Sequence, residues 1–465
     1  MSKKTLIFSI FATQLCLLPS AAWAGELNLT VYGDNRALVD DKRDVTLEQG
    51  TQTIELPGVS SQIISPSVTL TAPGVSIIEQ NFDFDLLSPA KLMEKAVGHY
   101  VQIVRTNPAT GMETRDRVKV LSVNNGVVIQ KGGKIEVLRD DNIPTRVIFS
   151  KIPENLRADP TLSVSVNSAS AGTREAALTY LTNGVSWRGD YVAVFDEAKA
   201  SMSLQGWATI NNQTNTSFKD ASLSVVAGQI GDANTNRYNN RYSQYNTNRN
   251  VRRGGAEAGT AERIGDNYIY PLPGRTTLAS KQSKQISFVN AEAIKARKAY
   301  EFYPWNFETM QEPASVDSRI AFSNSKAGGL GEALPKGTVR VYANDKRDKA
   351  QFVGESQITH MAAGSEISMK IGEAFDITVK GTKVKETKIS RWVLDTEVKY
   401  ELRNAKKEPV KVSIYQPVPG WFYKYTVLSE NIKSTERDAH TRLWTVDVPA
   451  EGSADLIFKI RRDWR

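Results

Sequence analysis

Apolar and polar residues alternate one by one along much of this chain. Leu394, Thr396, Val398, Tyr400 and Leu402 interleave with Asp395, Glu397, Lys399, Glu401 and Arg403, the period of two that gives a strand one wet and one dry face. After the turn residues 404–408, Val410, Val412 and Ile414 alternate with Lys411, Ser413 and Tyr415, and the two runs read as an antiparallel hairpin. Similar short alternations fall at residues 367–371, 375–379 and 456–460. Strands at such close spacing imply β-sandwich domains.

Residues 118–138 read as a meander in which Asn125-Gly126 and Gly132-Gly133 each join two strand-like runs, because both dipeptides accept the positive φ that a two-residue hairpin loop requires. One short helix precedes it, with Ser88 as N-cap and Pro89 at the first helical position. Ahead of that helix, short strands are expected at residues 27–32, 45–47, 54–56 and 68–72. Between residues 232 and 263 the chain turns to Asn, Arg, Tyr, Thr and Gly with almost no large aliphatic side chain, which predicts a disordered surface insertion. The expected fold is mainly β: several antiparallel β modules, including β-sandwich domains and a small barrel-like module. Its divisions are a signal peptide at 1–24, an N-terminal β module at 25–87, and the helix with the barrel-like module at 88–150. A β-sandwich at 151–330 carries the insertion, and a second β-sandwich occupies 331–465.

The first residues add a compartment. Lys3 and Lys4 precede an apolar run over residues 6–18, and Ala22, Trp23 and Ala24 form the Ala-x-Ala pattern of a cleavage site. The run is shorter than the ~20 residues a spanning helix needs, so a mature chain beginning at Gly25 and exported to the periplasm or the outer membrane is expected, without a transmembrane span. Cys16, the one cysteine, lies in this leader and follows Thr13, Gln14 and Leu15 rather than a lipoprotein motif. The mature chain therefore has no disulfide, thiol nucleophile or cysteine metal site. Two of the 59 basic residues also lie in the leader, leaving 57 against 51 acids. So mild an excess argues for solubility and weak attraction to anionic envelope polymers, not for nucleic acid.

Several stretches taken together are specific. YLTNGVSWRGDY from Tyr180, LQGWATINNQT from Leu204, SLSVVAG from Ser222 and YPLPGRTTLASKQSKQI from Tyr270 resemble the bacterial family named domain of unknown function 4139. The likeness continues in order through VRVYAND at Val339, FVGESQITH at Phe352, IGEAFDITVKG at Ile371, YELRNAKKEPV at Tyr400 and WTVDVPAEGSADLIFKIR at Trp444, over roughly residues 150 to 465. The first module is similar to the N-terminal part of members called mucoidy inhibitor A-like. The resemblance implies β-sandwich domains and an envelope setting, and carries over no reaction, substrate or catalytic residue.

Candidate chemistry is sparse. His99, His360 and His440 are far apart, without a zinc-binding spacing. Asp34, Asp40, Asp41 and Asp44, and also Asp140 and Asp141, read as loop acids; facing pairs of such carboxylates are what glycoside hydrolysis uses. No GxSxG elbow or phosphate loop is present. Gly328, Gly329 and Gly331 read as a flexible stretch between domains, and Arg188-Gly189-Asp190, beside a strand and directly after Trp187, as a tripeptide explained by chance and packing. Neither a catalytic residue, a cofactor nor a metal site is expected. The remaining signal is aromatic: Trp187, Trp207, Trp392, Trp421 and Trp444 are either core anchors or sugar-stacking rings. Trp421, after Pro419 and Gly420, reads as the best exposed of them, and Tyr238, Arg241 and Tyr242 in the insertion as residues that stack on or attract an anionic polymer. These point to a non-catalytic scaffold or binding protein with an envelope polymer or envelope protein as partner. The alternative is a carboxylate-based enzyme acting on envelope polysaccharide.

Overall fold

The structure, a computed structural model, describes residues 25–83, 86–124, 126–138, 144–153, 156–228, 251–253, 262–345, 347, 349–417, 424–438 and 440–464. The first strands are β1 (Leu27–Tyr32), β2 (Arg36–Leu47), β3 (Gly50–Pro57), β4 (Thr69–Thr71) and β5 (Val75–Asp83). Helix α1 (Pro89–Lys95) leads into β6 (Tyr100–Thr106), β7 (Glu113–Ser122), β8 (Val127–Lys131), β9 (Lys134–Leu138) and β10 (Thr145–Ile148). Next come β11 (Thr161–Ser168), β12 (Gly172–Asn183), β13 (Val185–Asp196), β14 (Ser201–Asn212), β15 (Phe218–Ala227), β16 (Val251–Arg253), β17 (Glu262–Ile264) and β18 (Asn267–Leu278). The long strands β19 (Ser283–Phe302), β20 (Ala314–Ser323), β21 (Gly337–Asn344), β22 (Ala350–Ile358) and β23 (Glu366–Ser390) follow. The chain closes with β24 (Val393–Asn404), β25 (Val410–Pro417), β26 (Lys424–Glu430), β27 (Thr435–Asp438), β28 (Thr441–Val448) and β29 (Gly452–Asp463). The protein is mainly β, as the alternation predicts.

The chain forms two compact units, one made mostly of residues 38–182 and the other mostly of residues 183–214 and 222–465. In the first, β3-β11-β5 form one sheet, and β10-β6-β7-β8-β9 form an antiparallel sheet around Val101, Ile103, Val118, Val120 and Ile129. Gly132 and Gly133, at φ 55° and 81°, make the tight β8–β9 turn; Asn125 lies outside the described residues. Two strands separate β6 from β9, which on a flat sheet would hold them ~14 Å apart. Arg105 of β6 nevertheless ion-pairs with Glu136 of β9, so the sheet curls into a half-barrel. Upstream, Ser88 Oγ accepts the Lys91 N–H at 3.2 Å, and Pro89 opens α1. Asp40, Asp41 and Asp44 sit within β2 rather than in loops. Asp41 is buried and takes its charge partner, Arg43, from the same strand.

In the second unit a long sheet runs β22-β21-β13-β14-β19-β20-β23-β24-β29-β26. It serves two cores. Val339, Val341, Tyr191, Leu204, Ile294, Ile320 and Met369 belong to one; Val316, Val379, Tyr400, Val412, Trp444 and Phe458 belong to the other. Strands β19, β20 and β23 thread both. β19 gives Ile294 to the first and Phe302 to the second, and β23 gives Met369 and then Val379. On the opposite side of these strands a buried ion pair joins Glu301 to Arg319 at 3.1 Å. Arg319 Nε donates to Ser368 Oγ at 2.9 Å, and Tyr303 OH donates to Glu301 Oε2 at 2.6 Å.

Four expectations change here. The runs at 394–403 and 410–415 are strands but not partners: β24 pairs with β23 and β29, whereas β25 pairs with β28 and, in parallel, with β19. Asn404 explains the crossing. Its side-chain amide donates to Glu408 O and Pro449 O, which holds the connection as an arch between two layers instead of a hairpin turn. Next, residue 330 separates no sheet, because β13 pairs in parallel with β21 across it. The glycines before it are packed rather than flexible: a Cβ on Gly329 would lie 2.6 Å from the Ala293 carbonyl oxygen. Finally, the span 232–263 contains β16, paired with β23 through Val251 and Ile367, and the start of β17; its other residues lie outside the described ones.

Candidate binding face

The strands β22-β21-β13-β14-β19 present one face to a core and the other to solvent, and the inner face fixes the outer one. Inside, Phe288 meets Trp187, Tyr191 and Tyr270 edge to face at centroid distances of 6.5, 5.8 and 5.9 Å. The polar tips of the three rings all donate to backbone carbonyls: Trp187 Nε1 to Val226 O (3.0 Å), Tyr191 OH to Pro335 O (2.8 Å) and Tyr270 OH to Ala333 O (3.1 Å). Burial raises the pKa of the Tyr191 hydroxyl well above its ordinary value, so it stays a donor. Gly189 and Gly206 flank this ring, and a Cβ at either would sit 3.1 Å from it. The glycine of the Arg-Gly-Asp tripeptide thus serves packing, which fixes its neighbours Arg188 and Asp190 on the solvent side.

Outside, register brings together residues far apart in sequence. Asp190 lies opposite Trp207 on β14 and Thr338 on β21, and Arg188 lies opposite Thr209. The Asp190 carboxylate accepts from Thr209 Oγ1 at 2.7 Å, from Arg188 Nε at 3.0 Å and from Arg340 Nη1 at 3.3 Å. Burial pushes this carboxyl's pKa up, and the Thr209 hydrogen bond with the two guanidiniums more than reverses it, leaving the group below the usual carboxylate range. It is a fixed anion that orients two cations. Arg340 also pairs with Glu355, opposite it on β22, at 3.8 Å, and both arginines keep solvent access, with 70% of the Arg188 side chain and 42% of the Arg340 side chain exposed. Half-buried Trp207 flanks the charges on one side, and the Tyr342–Phe352 pair, at 5.7 Å, lies further along β21 and β22. Guanidinium forks match carboxylates and hydroxyl-rich surfaces, and indole and phenyl rings offer flat apolar area beside them.

Trp421, Tyr238, Arg241 and Tyr242 lie outside the described residues. Among the other tryptophans, Trp187 is a core anchor, and so is Trp444, which stacks on Phe458 at 4.4 Å and donates to Glu430 at 3.0 Å. Trp392 is exposed under the Arg391 guanidinium. His360 Nδ1 accepts the Lys336 N–H at 3.2 Å, and desolvation with the Lys336 charge lowers its pKa. Among the described residues, His, Asp and Glu form no group of three able to hold a metal. A shallow depression of about 550 Å³ at the ends of β24 and β29 is lined by Glu401, Arg403, Asn404 and Glu451. Two of its polar groups are engaged, Arg403 with Glu401 and Asn404 with the arch. Sequence reasoning set Arg188 aside with its tripeptide and missed Arg340. Their one signal was that each sits between inward-facing residues, Arg188 between Trp187 and Gly189 and Arg340 between Val339 and Val341.

The fold places the chain among mainly β proteins built from antiparallel sheets. More narrowly, it belongs to the family described as Domain of unknown function (DUF4139), which matches residues 176–464. That span begins within β12 and ends at the close of β29, so it contains every residue of the face. No curated protein matches the chain.

Proposed function

We propose that this is an exported cell-envelope protein that binds an envelope polymer on the outer face of β22-β21-β13-β14-β19 and does not transform it. The observation that carries the reading is the Asp190 carboxylate, sunk in the sheet and holding Arg188 and Arg340 side by side on an open surface. A general acid near neutral pH needs a raised carboxyl pKa, and here the shift is downward. Trp207 and the two arginines suit a ligand that carries sugar rings and carboxylates, as peptidoglycan does. Export is supported by the leader pattern at residues 1–24.

The test is sedimentation of the mature protein with purified peptidoglycan, with fractionation and N-terminal mass confirming a periplasmic chain that starts at Gly25. The wild type is expected to pellet at low salt and to be released as salt shortens the screening length to ~8–10 Å. Arg188→Gln with Arg340→Gln should stay largely in the supernatant with an unchanged circular dichroism spectrum. A wild type that never pellets, or a double variant that pellets as well, sinks the reading.

A further inference from the structure

Strand β23 displays apolar side chains where a strand ordinarily hides them. Its register slips against β24 at Val384 and at Ile389, and against β20 around Phe375. A bulge adds an unpaired residue and re-aims its side chain. Phe375, Val384 and Ile389 are 83%, 53% and 52% exposed, and Trp392, in the turn to β24, is 42% exposed. Val384 and Trp392 bracket the hairpin tip. Between them stand Lys385, Lys388 and Arg391, which make no ion pair among the described residues. Of the nearby carboxylates, Glu386 pairs with Lys383 and Arg462 and Asp395 with Arg461, while Glu397 lies opposite Lys385 in the β23–β24 register. The Arg391 guanidinium lies 4.9 Å over the Trp392 ring. Trp305, 84% exposed, belongs to the loop that docks on the base of this hairpin through Met310 N–H to Gly381 O and Lys383 N–H to Thr309 Oγ1.

Part of this pattern protects an edge. β20 leaves β23 at the pair Ala314 and Val379, so the distal half of β23 pairs only with β24 among the described residues. Bulges and lysines keep such an edge from adding another strand, which argues against a protein partner docking by strand addition. Edge protection does not require the bulged residues to be Val and Ile, or the turn to carry Trp. Aliphatic side chains offer nothing to the hydroxyls of a polysaccharide. A bilayer interface takes up all these groups at once: Val, Ile and Trp enter the boundary of the acyl region while Lys and Arg reach the phosphates.

We infer that the β23–β24 hairpin tip is an anchor for an anionic phospholipid surface, with Val384, Ile389 and Trp392 as the inserted side chains and Lys385, Lys388 and Arg391 as the phosphate contacts. This rests on a different surface from the Asp190 face and stands independently of it. The experiment is co-sedimentation of the mature protein with vesicles of phosphatidylcholine containing phosphatidylglycerol, against vesicles of phosphatidylcholine alone. Each cation near an anionic surface strengthens partitioning about fivefold, so Lys385→Gln, Lys388→Gln and Arg391→Gln together are expected to weaken binding on the order of a hundredfold. Ile389→Ser with Trp392→Ser should weaken it at both low and high salt. Arg188→Gln with Arg340→Gln should leave vesicle binding unchanged, which separates the failure of one surface from that of the other. Circular dichroism verifies the fold of each variant; if one is unfolded, the salt series and the neutral vesicles decide on the wild type alone. No sedimentation of the wild type with anionic vesicles, equal sedimentation with neutral ones, or folded tip variants that bind like wild type would overturn the inference.

Discussion

Two carboxylate–arginine clusters in the second unit use the same chemistry for opposite ends. Glu301 and Arg319 are both sealed from water and hydrogen-bond to Ser368 and Tyr303, with Asp317 a further partner of Arg319 at 3.5 Å. In the other cluster only the anion, Asp190, is sunk into the sheet, while Arg188 and Arg340 stand in solvent. A sealed pair has cost both desolvation penalties already and punishes the loss of either member. A half-open cluster gains little stability from its ion pairs and keeps its cations ready for a ligand. Burial, not the identity of the charged groups, separates the sealed pair from the open one.

The largest expected effect is on the sealed side. Arg319→Met leaves a buried carboxylate without its cation and is expected to cost about 3–5 kcal/mol, read from urea unfolding. Adding Glu301→Gln should recover part of the loss, because the neutral amide oxygen still accepts from Tyr303 or Ser368. A double variant no more stable than the single one would break the account of the pair. Asp190→Asn should cost about 1 kcal/mol or less near neutral pH, since its partners are screened by solvent. The folded-state pKa of Asp190 lies below its ordinary 3.8. Its contribution is therefore full well above that value and fades as pH falls through the lower folded pKa. Unfolding wild type and Asp190→Asn side by side from neutral to acid pH should show their gap closing only below about pH 4; a gap that is constant with pH would contradict the assignment. Smallest of all, Arg188→Gln alone should shift stability by no more than ~0.5 kcal/mol while weakening peptidoglycan binding. A larger loss of stability would move Arg188 to the structural side of the comparison.

Local chemistry was legible in the sequence where neighbours decide the outcome. Ser88 and Pro89 start α1 because capping acts within one turn, and Gly132-Gly133 closes β8 onto β9 because a two-residue loop leaves no other choice of partner. Alternation likewise revealed β24 and β25 as strands, but it does not name partners. Asn404 turns what reads as a hairpin loop into an arch, through hydrogen bonds to carbonyls at Glu408 and Pro449. The candidate face was hidden for the same reason. Arg188 and Arg340 become neighbours only through the parallel pairing of β13 with β21, and on its own strand each is an ordinary polar residue. The Asp40 to Asp44 acids and the Gly328 to Gly331 stretch were read from composition. Both turn out to be set by packing, through Arg43 beside Asp41 and through the Ala293 carbonyl against Gly329.

Strands β19, β20 and β23 each belong to two cores, and this makes the second unit a single mechanical element. β23 carries Met369 into one core and Val379 into the other, so the two cores share its backbone. A load applied at the hairpin tip would pass along β23, through its irregularity around Phe375, into the core beneath the Asp190 face.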